Sequence, residues 1–310
     1  MVAELDLLVV GDLNPDLILR GEDVRPRFGQ VETIVDSADL VIGGSAAIAA
    51  VAACRLGLSV GLCAVVGDDR RGETIRSFVE AEGVNTDAVR SDARMPTGLT
   101  VILAERDDRA ILTSLGTIAA LTSGDLAALR DAPARHVHIA SYYLMSDAYR
   151  SGLAQHLSRF RNAGSTVSLD TNWDPSELWD LADVLAEVDV FLPNEAELRA
   201  ITRKEMIEEA LSSMGAQVPT VAVKLGVRGG AVISNGSVSS VAADRSGYVI
   251  DTVGAGDSFD AGFITGVLSG RSAPDSLRLA VAVGTLSTRG SGGTASQPSL
   301  DEAAGLAFTT

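Results

Sequence analysis

The segment Asp251–Asp257 carries the residue types best suited to chemistry, in the order Asp-Thr-Val-Gly-Ala-Gly-Asp. Gly254 and Gly256 allow a tight turn whose successive N–H groups point at one spot, and the predicted helix behind them adds a partial positive charge. Such a turn can hold a phosphate, and the Asp257 carboxylate on the same turn can accept a proton from a hydroxyl. The segment therefore predicts transfer of a phosphoryl group to an alcohol.

Two other interpretations of this segment stay open. Because a predicted apolar strand, Tyr248–Ile250, precedes the turn, its glycines and Asp could belong to a plain strand-to-helix connection. A dinucleotide-binding turn also has two glycines after a strand, but Phe259 stands where its third glycine would be. The segment also lies near the C-terminus instead of after the first strand, and both facts argue against a dinucleotide site.

Two segments in the first part of the chain could bind substrate hydroxyls. Gly11–Asp16 follows the first predicted strand, and ligands bind at the carboxyl ends of parallel strands, so Asn14 and Asp16 could bind a diol. The alternative is an ordinary Asn-Pro-Asp turn. Gly43 and Gly44 precede an apolar helix, where they either let a ligand approach the backbone or form a loop before a buried helix.

Two later segments could bind a metal and a nucleotide. Asn194 and Glu197, three residues apart at a predicted helix start, could hold hydrated Mg²⁺, with helix capping as the alternative. Val223–Gly230 links two predicted strands. Its glycines would let a nucleotide lie against the backbone with Lys224 or Arg228 near a phosphate, or would form a tight hairpin.

Composition and charge argue against several classes of partner. The 310 residues are 46 % hydrophobic with a formal net charge of −16 and no Lys/Arg-rich run, which disfavours nucleic acid and anionic membranes. Cys54 and Cys63 do not make a disulfide framework, and the longest apolar run, Ala46–Cys54, is too short to span a bilayer. Met1–Glu4 has no basic signal-peptide region. The sequence therefore predicts a cytoplasmic protein.

Strand-like and helix-like segments alternate along the chain. Runs rich in Val, Ile and Leu predict strands at Leu7–Val10, His136–Ala140, Thr166–Leu169, Val190–Leu192, Val221–Leu225 and Ala231–Ser234. Amphipathic stretches predict helices at Arg71–Glu82, Ala148–Asn162, Pro175–Glu187 and Glu195–Ser213. This alternation predicts an α/β fold, with a mostly parallel central sheet covered by helices on both faces in a three-layer α/β/α core.

Two segments interrupt the alternation. Residues 17–41 alternate polar and apolar side chains over short stretches, and residues 98–115 predict a hairpin turned at residues 106–109. Together they predict a small β-sheet lid inserted in a single domain that spans residues 1–310. An exposed edge of this lid could pair with a second subunit, so a homodimer through the lid is a further expectation.

Taken in order, these motifs resemble the ribokinase-like (phosphofructokinase B type, PfkB) carbohydrate kinase family. The resemblance covers nearly the whole chain. Its most specific part is Asp251–Asp257, which matches the family's D-T-x-G-A-G-D signature at every fixed position. It implies a ribokinase-like fold with a β lid and transfer of the γ-phosphate of ATP to an alcohol of a sugar or nucleoside. The resemblance also rests on four weaker motifs, which are Gly11–Asp16, Gly43-Gly44, Asn194-x-x-Glu197 and Lys224-Leu225-Gly226-x-x-Gly229.

The resemblance also implies catalytic and acceptor-binding roles. Asp257 would be the general base on the acceptor hydroxyl, and the N–H groups of Gly254, Ala255 and Gly256 would form an anion hole around the transferring group. The residues implied to bind the acceptor are Asn14, Asp16, Gly43 and Gly44.

Cofactor sites follow from the same resemblance. Asn194 and Glu197 would orient Mg²⁺ through water, while Asp251 and Val253 match positions that lend a carboxylate and a backbone carbonyl to a monovalent cation such as K⁺. The residues implied to border ATP, besides Asn194, are Lys224, Gly226, Gly229 and Val281.

The chain departs from the family pattern on the acceptor side. Ile48 stands in place of an Asn that contacts the sugar, Tyr142 in place of a sugar-binding Glu of ribokinase, and Ser45 in place of a ribokinase Lys. These changes predict that ribose is a poor acceptor and favour a less hydroxyl-rich one, such as a nucleoside or a modified sugar. The alternatives are a vitamin or hydroxymethylpyrimidine kinase on the same scaffold, and a regulatory protein that binds ligand with little or no catalysis.

Overall fold

The computed structural model describes residues 5–105, 109–130 and 134–308. Its strands are β1 Leu5–Val10, β2 Asn14–Arg20, β3 Ser37–Gly43, β4 Val60–Gly67, β5 Val89–Asp92, β6 Leu99–Ala104, β7 Arg109–Ser114, β8 Ala134–Ile139, β9 Thr166–Leu169, β10 Val190–Phe191, β11 Thr220–Lys224, β12 Gly230–Ser234 and β13 Ser237–Val241. Its α-helices are α1 Ser45–Arg55, α2 Arg70–Ala81, α3 Ser123–Ala127, α4 Asp147–Asn162, α5 Ala182–Leu185, α6 Glu195–Thr202, α7 Ile207–Gly215, α8 Ala255–Leu268, α9 Ala273–Ser287 and α10 Leu300–Phe308.

A large, mostly parallel sheet forms the centre of the fold. Its nine strands run in the order β13-β12-β11-β10-β9-β8-β1-β4-β5, and only the pairs β11–β12 and β12–β13 are antiparallel. Strands β1, β8, β9, β10 and β11 therefore end at the same edge, where ligands bind in open α/β sheets.

Both faces of this sheet are buried against helices. Along β1, Leu7 and Val9 pack into one apolar cluster and Leu8 and Val10 into the other, because side chains alternate between the two faces of a strand. Helices α1, α2, α8, α9 and α10 contribute to the first cluster, and α3 to α7 contribute to the second. The predicted three-layer α/β/α core is therefore confirmed.

A separate four-stranded sheet has the order β3-β2-β6-β7. Strands β2 and β6 are parallel, while β3 and β7 pair antiparallel at the two edges. These strands come from the two segments predicted as the lid, although β2 starts at Asn14 and β3 ends at Gly43, outside the predicted range 17–41. Residues 106–108 of the turn predicted at 106–109, like Met1–Glu4, lie outside the described residues.

Two predicted helices are wrong in extent. Between Pro175 and Glu187 only α5 is helical, because the Asp174 side chain accepts from Ser176 N and Trp179 N, both at 2.8 Å, and so holds a turn. The helix predicted from Glu195 to Ser213 is two helices, α6 and α7. The break follows Arg203, whose left-handed backbone (φ 55°) ends α6.

The predicted strand Tyr248–Ile250 is also wrong. These residues form an exposed loop, in which Ile250 N donates to Thr288 O at 2.8 Å. The signature segment is therefore reached from a loop and not from a strand. Within the described ranges, none of the helices is both long and apolar enough to cross a bilayer.

Candidate active site

The turn that opens α8 has the conformation expected for a phosphate-binding turn. Gly254 is left-handed (φ 70°), and a Cβ there would lie 2.8 Å from Gly293 Cα and 2.9 Å from Ile48 Cγ2, so the turn requires glycine. Ala255 and Gly256 follow as the first helical residues, where backbone N–H groups have no acceptor within the helix; Ala255 N donates to Thr252 O, just before the helix, at 3.4 Å. The helix start can therefore offer several N–H groups to one anion.

Asp257 lies in the first turn of α8, partly buried. Burial and then the nearby negative charge of Asp170 raise the pKa of its carboxyl, Lys224 acts in the opposite direction, and the net result is a pKa of about 8. Ser45, at the start of α1, hydrogen-bonds the carboxylate and also accepts from Asn172 Nδ2 at 3.0 Å. The base predicted from sequence is therefore linked through Ser45 to Asn172, in the loop after β9.

A buried ammonium group, that of Lys224, lies near Asp257. Lys224, at the end of β11, places its Nζ 2.6 Å from Asp170 Oδ2 and 3.0 Å from Asp260 Oδ2. Burial disfavours the charged ammonium, but Asp170, Asp260 and Glu197 outweigh it and raise the pKa of Lys224. This ammonium is thus engaged by carboxylates, and its stem lies against Gly256, 3.5 Å from where a Cβ would be.

The residues predicted to bind the acceptor come together at the end of β1. Asn14 Nδ2 donates to Asp16 Oδ1 at 3.0 Å, and a Cβ on Gly43 would lie 2.0 Å from that same oxygen. Gly44 has a positive φ of 87°, with Asn14 Oδ1 3.1 Å from its would-be Cβ. The glycine pair is therefore required for the β2 side chains to pack beside the start of α1.

Asp12 completes this group. Its Oδ1 accepts from Ser141 Oγ at 2.8 Å and from Ala46 N at 3.0 Å. Burial, with Asp12 as a neighbouring negative charge, raises the pKa of Asp16 to about 7. The residues predicted to bind the acceptor therefore include two buried carboxylates, those of Asp12 and Asp16, near the start of α1.

Asn194 and Glu197 form a reciprocal cap at the start of α6. Asn194 Oδ1 accepts from Glu197 N at 2.9 Å, and Glu197 Oε2 accepts from Asn194 N at 2.8 Å, which is the helix-capping alternative. Burial and then Asp170 raise the pKa of Glu197 to about 7. Capping does not remove the pair from the site, because both residues line the same cavity as Asp257.

A cavity of about 930 Å³ joins these elements. Its volume is near the upper end for small-ligand sites. It reaches from Ser45, Asn172 and Trp173 past Asp257 to the loop after β11. The predicted site residues that line it are Asn194, Glu197, Lys224, Gly226, Gly229, Ala255, Gly256, Asp257 and Val281.

Other predicted residues lie beside the cavity or away from it. Ile48 is buried and packs against the Gly254 turn. Tyr142 lies in the second apolar cluster with its ring centroid 5.0 Å from that of Tyr143, and it does not line the cavity. Asp251, expected at a monovalent-cation site together with Val253, forms an ion pair with Arg20, whose Nη2 lies 2.8 Å from Asp251 Oδ2.

The comparisons with known proteins agree with this geometry. The model of the pfkB family carbohydrate kinases matches residues 4–300. The chain belongs to this family. Among its pfkB-family relatives, an ATP-dependent ribose-1-phosphate kinase of Halopiger xanaduensis is 33% identical over 300 residues, which are 96% of each chain.

Solved structures share the pfkB-family fold. Arabidopsis thaliana ribokinase complexed with ribose and ATP has a TM-score of 0.84 and 25% identity, and covers 99% of this chain and 100% of its own. A putative ribokinase II from E. coli in complex with ATP and Mg²⁺ has a TM-score of 0.84 and 21% identity, and covers 96% of this chain and 97% of its own. At 21% identity, the similarity to the E. coli protein shows a shared fold and no more.

Sequence reasoning missed four residues of this pfkB-family site: Asp12, Asp170, Asn172 and Asp260. The carboxylates of Asp170 and Asp260 both lie within 4.8 Å of that of Asp257. Two signals could have found them. Asp170 directly follows a predicted strand, at the edge where Asp12 follows another, and Asp260 lies one helical turn after Asp257.

Proposed function

We propose that this chain transfers the γ-phosphate of ATP to a hydroxyl of a small neutral sugar or sugar-like alcohol. One observation carries the proposal. Asp257 lies at the start of α8, between the large cavity and the Asp12–Asp16 group, and its neighbours raise its pKa to about 8. A base whose pKa is near the working pH is well matched to take a proton from an alcohol.

The chain's own groups would divide the chemistry between them. Asp257 would accept the proton of the attacking hydroxyl, while the N–H groups of Gly254, Ala255 and Gly256 would stabilise negative charge on the transferring group. Ser45 and Asn172 would hold the carboxylate of Asp257 in place. Burial of the acceptor end of the site would exclude water, which is the competing acceptor.

The cavity fits a magnesium nucleotide. Gly226, Gly229 and Val281 line it together with Gly256 at the start of α8. The oxygen donors that face the same space, Asn194, Glu197 and Asp257, suit a hard cation that keeps several waters. Bound there, Mg²⁺ would neutralise phosphate charge.

The buried carboxylates argue for an uncharged acceptor. In the described part of the chain, the side chains of Asp12, Asn14 and Asp16 bond to backbone groups, to each other, to Ser141 and to Thr100, with no Lys or Arg among these partners. Carboxylates accept from sugar hydroxyls. A phosphate or carboxylate on the acceptor about 5 Å from an ionised carboxylate would cost roughly 3 kcal/mol at an effective dielectric of about 20, or would force a proton onto Asp16, whose pKa is already raised to about 7.

A nucleoside is the second candidate acceptor. Trp173 lines the cavity beside Ser45 and Asn172 and is 47% exposed, so its ring is open to stack on a base. Ile48, where the family has a polar sugar contact, also favours a partly apolar acceptor.

ADP release with MgATP tests the proposal across ribose, fructose, nucleosides, sugar acids and ribose-1-phosphate. The Asp257→Asn variant should lower kcat by about 10²- to 10⁴-fold while ATP still binds, because it removes the proton acceptor. Asp275→Asn is the matched control, since Asp275 occupies the same position in the first turn of α9 but does not line the cavity. Near-normal turnover by Asp257→Asn would refute the assignment, and a preference for acidic acceptors would refute the neutral-acceptor claim.

We further propose that a second copy of the chain covers the outer face of the small sheet. Paired residues on its four strands form one apolar row, Leu40, Leu17, Val101 and Leu112, on the opposite face from Asp16. The two ends of the row, Leu40 and Leu112, are 46% and 57% exposed. A continuous apolar face on an exposed sheet favours self-association.

A further inference from the structure

Both oxygens of the Asp251 carboxylate accept hydrogen bonds from the protein itself. Arg20, the last residue of β2, donates from Nη2 to Asp251 Oδ2 at 2.8 Å and to Ser291 Oγ at 2.6 Å. Gly292 N donates to the same Oδ2 at 2.9 Å, and Val253 N donates to Oδ1 at 3.0 Å. The Asp251 side chain is 8% exposed and the Arg20 side chain 26% exposed, so the ion pair is partly shielded from water.

These contacts do not fit a monovalent cation bound through Asp251. The guanidinium already supplies one positive charge to the carboxylate, and a second cation on the same group would face it at close range. Burial opposes ionisation of Asp251, but the two backbone N–H groups and then Arg20 lower its pKa, so the carboxylate is charged and Arg20 balances it.

Asp251 also links two backbone segments that shape the turn of α8. Val253 immediately precedes Gly254. Gly292 immediately precedes Gly293, whose Cα lies 2.8 Å from where a Gly254 Cβ would be. A shift of the Asp251 carboxylate would therefore displace the turn from both sides.

We propose that Arg20 is a positioning residue that takes the place of a monovalent cation. Its guanidinium neutralises Asp251, ties the small sheet to the turn of Gly254–Gly256, and makes activity independent of K⁺. The inference rests on the proposed function only for its kinetic readout. A cation effect on thermal stability does not require turnover, so the two proposals can fail separately.

The test compares the wild-type chain with Arg20→Ala, Arg20→Lys and the control Arg25→Ala. Arg25 lies in the segment that joins β2 and β3, five residues after Arg20, and it pairs with Glu105 on an exposed surface. Melting temperature, kcat and KM for ATP are measured in K⁺, Na⁺ and tetramethylammonium chloride at one ionic strength.

Wild type and Arg25→Ala should have the same kcat and melting temperature in all three salts. Arg20→Ala should lose about 10- to 100-fold in kcat in tetramethylammonium, the usual range when an outer support of a site is removed. K⁺ should raise both its kcat and its melting temperature, and added guanidinium should restore part of kcat. Arg20→Lys keeps the charge and should stay insensitive to K⁺.

Three results would overturn the inference. One is a K⁺ requirement in the wild-type chain. Another is an Arg20→Ala variant whose kcat and melting temperature equal those of wild type in every salt. The third is an Arg20→Lys variant that becomes K⁺-dependent, since that would mean that the retained charge is not the relevant property. If Arg20→Ala does not fold, Arg20→Lys and the wild type still decide the matter.

Discussion

At the scale of single residues, the charge of Asp257 is controlled by its neighbours. Burial and Asp170 raise its pKa, and Lys224 limits the rise. The same lysine keeps Asp170 ionised, since its positive charge overcomes the effect of burial and lowers the pKa of Asp170. The carboxylates of Asp170, Asp257 and Asp260 lie within 4.8 Å of one another, and the buried ammonium of Lys224 offsets their mutual repulsion.

This arrangement predicts a pH profile. The base works only when deprotonated, so kcat/KM should fall as pH is lowered through about 8 in the free enzyme. Asp170→Asn removes the negative charge that raises the pKa of Asp257 most. It should therefore lower that pKa and move the fall in kcat/KM to lower pH, although kcat itself can drop. Asp180→Asn, on an exposed part of the same loop, should leave the profile unchanged. A profile that Asp170→Asn does not shift would show that Asp170 does not control the base.

At the scale of elements, five neighbouring strand ends and the start of one helix build the site. Strands β1, β8, β9, β10 and β11 end at one edge, and α8 approaches this edge with its N-terminus. The helix begins at Gly254, where a left-handed backbone and close contact with Gly293 leave no room for a side chain. The position of the N–H groups proposed to bind an anion thus depends on one glycine.

Gly254→Ala tests this dependence, with Gly270→Ala as the control. Both glycines are left-handed, with φ of 70° and 73°, but a Cβ at Gly270 has no atom within 4 Å. The control should therefore cost about 1 kcal/mol of unfolding free energy, the backbone penalty alone. Gly254→Ala should cost more than about 2 kcal/mol and lower kcat, since the turn must also shift. Chemical denaturation and steady-state kinetics measure both; equal costs and unchanged kcat would contradict the close-contact argument.

At the scale of the whole molecule, the small sheet has two different faces. One carries Asp16 toward the acceptor group, and the other carries the apolar row Leu40, Leu17, Val101 and Leu112. A partner on the outer face would bury that row without blocking the cavity. It would also stiffen β2, which carries both Asp16 and Arg20, so assembly and catalysis would share one strand.

Leu112→Glu tests the assembly. A charge on a covered apolar face is costly even at the end of the row, so the variant should be monomeric where the wild-type chain is a dimer. Light scattering coupled to size exclusion measures the mass. Val238→Glu, on the exposed edge strand β13 of the large sheet, should leave the mass unchanged. A wild-type monomer at micromolar concentration would contradict the proposal.

Much of this architecture was predictable from periodicity. Apolar runs on β1, β8 and β9 and the Gly-rich signature gave the correct fold class and the right helix start, because each is a local pattern. The errors have local causes too. Tyr248–Ile250 has the side chains of a strand but no partner strand, and the helix predicted from Glu195 to Ser213 breaks at Arg203, which has no helix-breaking side chain.

The sequence alone determined the turn that opens α8 and the carboxylate proposed as its base, since Asp251–Asp257 holds both glycines and Asp257 within a few residues. Only the tertiary structure decided which charges surround that base. Lys224, Asp170 and Asp260 meet across 36 to 54 positions of sequence, and Arg20 reaches Asp251 across 231. Such pairs depend on strand order and helix placement, which no local pattern encodes. For this reason the sequence alone does not show that Lys224 and Arg20 pair with carboxylates of the protein itself.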